Sequence, residues 1–62
     1  MDWRNDLQRA IRINEEEIML LESMIPQAPS QEVQQMLGMM ITQEKEEMRI
    51  MREMLMGGHM YL

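Results

Sequence analysis

The chain has no cysteine, no phenylalanine, two prolines, three glycines and only two aromatic residues, Trp3 and Tyr61, among its 62 residues. Without cysteine there is no disulfide framework, no thiolate zinc site and no iron–sulfur ligation. A chain this short, lacking those staples, is one small domain at most, and association is the usual way to complete its core. A homo-oligomer, dimer or higher, is therefore expected. No apolar run reaches the roughly 20 residues that span a bilayer, and the N-terminus lacks the positive-then-apolar order of a signal peptide. No membrane association and a cytoplasmic location are the expectations. Six basic residues stand against eleven acidic ones, a formal charge of -5. The basic residues are dispersed among acids, which argues against nucleic acid as a partner. There is no glycine-rich phosphate loop and no serine or cysteine nucleophile with a placed base.

What is present is methionine, eleven residues, within a composition that is 45% hydrophobic. Unbranched thioethers fill irregular gaps and suit an adaptable core. Asp2 is placed to cap a first helix over about residues 2–25, whose seam Leu7, Ile11, Asn14, Ile18, Leu21 and Ile25 alternates steps of four and three. Pro26 to Pro29 form a link, and Ser30 caps a second helix over about 30–56, ended by Gly57-Gly58 ahead of a tail over 57–62. The second seam reads Val33, Leu37, Met40, Glu44, Glu47, Met51 and Met54. Gly38 suggests a close backbone approach in mid-helix. The fold class is all-α: residues 1–62 as a single antiparallel helical hairpin, two copies of which make a four-helix bundle.

Three seam positions are polar. Folding the hairpin about the link puts Asn14 within about one turn of Glu44, with Glu47 a further turn along. Carboxylates removed from water need a partner, a hydrogen bond or a bound cation, unless Glu44 and Glu47 flank the seam and reach water. Arg9, Arg12, Arg49 and Arg52 are the available cations, a divalent metal is the alternative, and an all-oxygen site favours manganese, magnesium or calcium, with carboxylate-bound iron also open.

Leu7 to Ile11, Glu15-Glu16-Glu17-Ile18, the hairpin link, Gln43 to Glu47 and Met51 to Leu55 together resemble the ferritin-like superfamily, in its two-helix, rubrerythrin-like and encapsulated-ferritin-like half-bundles. The resemblance implies a metal site at the dimer core that binds iron or manganese and oxidises ferrous iron. In such bundles a glutamate from one helix and a Glu-x-x-His pair from the next hold two metals. Carried over residue by residue, Glu44 takes the place of that pair's glutamate, Glu47 stands where the histidine would be, and Asn14 stands where the first-helix glutamate would be. Glu15, one residue on, and Glu17, a turn on, are the other carboxylates that the first helix offers. The site is thus an altered or vestigial one.

A second reading is a metal-free structural or interaction module, a dimerising hairpin that presents Met19, Leu20, Met39 and Met56 to a further protein partner. The methionines and His59 raise copper(I) as a soft-ligand possibility, but their helical spacing is that of core packing.

Overall fold

The computed structural model describes residues 2–57. Among them the chain is two α-helices, α1 (Trp3–Met24) and α2 (Gln31–Leu55), joined through a 3-10 turn over Ile25–Gln27. Residues 58–62, which include His59 and nearly all of the expected tail, lie outside the described residues, as does Met1.

Each helix starts where a short polar side chain satisfies a free backbone donor. Asp2 accepts from the Arg4 N–H at 3.0 Å and Ser30 from the Val33 N–H at 3.2 Å. At the far end of α2, Met56 closes the last turn onto Arg52 and Glu53 carbonyls, and Gly57 leaves in the left-handed region at φ 97°. A glycine is needed there because a Cβ would strain that conformation.

The link differs from expectation in one respect. Pro26 does not end the helical path: Ile25 keeps helical dihedrals, and the chain tightens into the 3-10 turn that Pro26 opens. It is Ala28, in front of Pro29, that becomes extended, at φ -64° and ψ 139°. The Ile25 carbonyl collects bonds from the Ala28 N–H and the Gln34 side-chain amide, both at 3.2 Å, so the corner is tied to the start of α2. At the open end the Arg4 guanidinium donates to the Leu55 carbonyl at 2.7 Å and fastens the start of α1 to the end of α2.

The core between the helices is Ile11, Ile18 and Leu21 from α1 against Leu37, Ile41 and Met48 from α2, flanked by Ile25, Val33, Met51 and Leu55. The α1 seam is the expected one. The α2 seam is not: Met40, Glu47 and Met54 are exposed, and Ile41, Met48 and Leu55 take their places toward α1. Both lines alternate near-fours and threes, so α2 carries two adjacent apolar stripes, and spacing alone does not say which one the other helix covers. Gly38 is not a point of close approach within the hairpin, since an added Cβ would meet nothing within 4 Å.

The whole is one layer of helices. Its thinnest extent is 12 Å, about the diameter of a single helix with side chains. The radius of gyration is 14.5 Å, against about 11 Å for a compact domain of this length. No described side chain falls below 2% exposure. A stable domain normally packs two layers against each other, so this layer has an unused side.

Candidate association face and its polar layer

The polar positions of the two helices meet at one height. Asn14 Nδ2 donates to Glu47 Oε1 at 3.4 Å, and the Glu17 carboxyl stands beside that of Glu44. Glu44 is the one buried charged-type residue among those described, at 8% exposure. Its carboxyl is pushed above the ordinary glutamate range, first by loss of water, then by the Glu17 carboxyl beside it and the neighbouring charges of Glu17 and Glu47. The layer is self-satisfied, and no buried side-chain polar atom among the described residues lacks a partner.

This corrects the expected register. Asn14 meets Glu47, and the partner of Glu44 is Glu17, because the 3-10 turn prolongs the first arm and moves the crossover toward Ser30. Glu15 is not part of the layer; it pairs with Arg52 at 3.3 Å on another side of the hairpin. None of the four candidate arginines bridges Glu44 or Glu47 among the described residues: Arg49 is engaged by Glu46, at 2.8 Å, and by Glu53. That engagement holds the Glu46 carboxyl below its ordinary value and raises the Arg49 guanidinium further.

Among the described residues no three or more histidine, cysteine, aspartate or glutamate side chains are grouped to hold a metal ion. Within the hairpin one Glu47 oxygen accepts from the Asn14 amide.

The layer also marks one side of the molecule. Stepping each seam back by one residue turns about 100° around a helix. On α1 this gives Asp6, Ala10, Ile13, Glu17, Leu20 and Met24; on α2 it gives Glu32, Met36, Met40, Gln43, Glu47, Ile50 and Met54. Because the helices are antiparallel, the same backward step rotates them in opposite senses about a common viewing axis. Both stripes therefore emerge on the same side of the layer. They are largely apolar and open to solvent, with Leu20 at 62%, Ile13 at 56% and Met36 at 55% exposure. Glu17 and Glu47 interrupt them at mid-height, and Asp6 and Glu32 stand at their ends.

A forward step gives the opposite side: Gln8, Arg12, Glu15, Met19 and Glu22 on α1, with Gln34, Gly38, Thr42, Lys45, Arg49, Arg52 and Met56 on α2. That side is mostly polar and charged, and the Glu15–Arg52 pair crosses it. Met19, Leu20, Met39 and Met56 consequently do not make one surface, although all four are exposed. Leu20 belongs to the apolar side and Met19 to the charged one. The apolar face was missed at the level of sequence because its α2 half was assigned to the hairpin seam; the signal for it is the second stripe one residue behind Leu37, Ile41, Glu44, Met48, Met51 and Leu55.

No helix among the described residues is long and apolar enough to cross a membrane. Comparison with family models, curated proteins and solved structures gave no match.

Proposed function

We propose that this protein is a self-associating helical hairpin, a ferritin-like half-bundle in architecture, whose function is to form a homo-oligomeric four-helix module. Two copies lay their apolar faces together, and the Asn14, Glu17, Glu44 and Glu47 layer lies at the centre as a proton-sharing polar layer where the resemblance would put metals. The observation that carries this reading is the contrast between the two sides of a one-helix-thick layer: Ile13, Leu20, Met24, Met36, Met40, Ile50 and Met54 exposed on one, charged groups on the other. Exposed apolar surface of that continuity marks an interaction site.

A second copy is the fitting occupant because the face is self-complementary in kind, apolar on either side of a polar middle and bounded by Asp6 and Glu32, as a two-fold interface allows. Completing the burial of a half-exposed leucine, isoleucine or methionine contributes on the order of 1 kcal/mol. Two sets of seven such residues give on the order of 10 kcal/mol, comparable with the roughly 4–15 kcal/mol lost in joining two molecules. Association is therefore reversible and depends on concentration.

Thermal unfolding followed over a hundredfold range of protein concentration tests the reading. A melting temperature that climbs with concentration is expected, since only the associated state is then favoured by mass action. A concentration-independent transition contradicts it. Metal analysis of protein purified without chelator tests the nature of the layer: stoichiometric iron or manganese, lost on Glu44→Ala/Glu47→Ala substitution, would replace the proton-sharing layer by a metal-bound one.

A further inference from the structure

We infer that Met24, Met36, Met40 and Met54 are peroxide-modifiable positions through which oxidation dissolves the association; this rests on the self-association reading above. Four of the seven apolar residues on the face are methionines, all exposed in the single hairpin. They are accessible to a small oxidant whenever the hairpin is free and are covered when two faces meet.

The chemistry needs only hydrogen peroxide. The thioether sulfur attacks one peroxide oxygen, the O–O bond breaks as an S–O bond forms, and the second oxygen leaves as water after taking the proton from the first. Sulfur gives up two electrons and the peroxide gains two. The product is a sulfoxide, a strong dipole on what was an apolar side chain. In water it is well solvated; pressed against a second apolar face it gives up most of that water. Sulfoxides thus favour the free hairpin, and the free hairpin is the form that is oxidised. The two effects reinforce each other and turn a graded oxidant level into loss of association.

The fold supplies its own controls. Met19 and Met56 are at least as exposed but lie on the charged side, and Met48 is buried in the seam between the helices. Oxidation of the first two leaves association alone, and Met48 resists while the hairpin stays folded.

The test compares three proteins before and after hydrogen peroxide, with peptide mass mapping to locate sulfoxides, sedimentation to give the dissociation constant and far-ultraviolet circular dichroism to follow helix. In the native chain, sulfoxides at the four face positions raise Kd about tenfold or more, while Met48 stays unmodified. The Met24→Leu/Met36→Leu/Met40→Leu/Met54→Leu variant keeps its Kd through the same treatment, and the Met19→Leu/Met56→Leu variant loses association as the native chain does. An unchanged Kd with the four sulfoxides in place overturns the inference, as does equal loss in the four-leucine variant or loss confined to molecules oxidised at Met48. An untreated chain that is monomeric at every concentration overturns self-association itself, and this inference with it; a chain that associates but ignores peroxide overturns this inference alone.

Discussion

Asn14 and Glu47 face each other across the hairpin, the amide nitrogen 3.4 Å from a carboxylate oxygen, one position in the seam and the other on the apolar side. The contact joins the inner core to the outer face. An amide can donate and a carboxylate can only accept, so the two side chains satisfy each other.

If this layer is held by shared protons, the buried carboxyl is a burden on stability at neutral pH. Glu44→Leu, or Glu44→Leu/Glu47→Leu, is expected to raise the melting temperature at pH 7 in the presence or absence of added manganese, because an apolar side chain of similar size needs neither proton nor partner. A fall in melting temperature confined to metal-loaded protein would instead mark a metal-binding layer.

The same residue sets a pH dependence whose sign is fixed by the direction of its shift. The Glu44 carboxyl is raised above the ordinary 4.5, so the protonated form is favoured in the folded state. Its contribution is complete below the ordinary value and declines as pH rises through the raised value. Glu46, held down by Arg49, behaves oppositely: its contribution is present above the ordinary value and disappears as pH falls through the lowered one. Melting temperatures taken from about pH 3 to about pH 8 therefore pass through a maximum on the acid side of neutrality. Glu44→Gln flattens the neutral limb, and Glu46→Gln flattens the acid limb.

Helix-level energetics give two opposite single-site effects. Gly38 lies in the middle of α2 with open space where a Cβ would go, so Gly38→Ala stabilises by about 0.5–1 kcal/mol. Ser30 caps the same helix through the Val33 N–H, and Ser30→Ala costs about 1 kcal/mol. Chemical denaturation of each variant reads both; a destabilised Gly38→Ala would mean that a second molecule approaches α2 at that point.

The hairpin itself was legible in the sequence because its signals are local. Asp2 and Ser30 announce helix starts, Gly57 a stop, and Leu7, Ile11, Ile18 and Leu21 a face. Legibility ended where two apolar stripes run side by side on α2. Met40 and Ile41, or Glu47 and Met48, differ by one position, and choosing between them requires knowing which side α1 occupies. The link hid the register for a related reason: that Ile25 stays helical before Pro26, while Ala28 turns extended before Pro29, depends on the Ile25 carbonyl finding Ala28 and Gln34 as donors. That small choice moves the partner of Asn14 from Glu44 to Glu47. Glu17, named among the carboxylates of the first helix, acquires its role only through the same register.

Sedimentation equilibrium on the native chain beside Leu20→Glu and Met19→Glu tests whether the apolar side is where the molecules join. Leu20 and Met19 are neighbours in sequence, similar in exposure, and on opposite sides of the layer. The native chain and Met19→Glu are expected to give twice the chain mass or more at high concentration, with Leu20→Glu reduced to a helical or partly unfolded monomer. A native chain that stays monomeric, or a Leu20→Glu variant that associates as tightly as Met19→Glu, would contradict the assignment of this face.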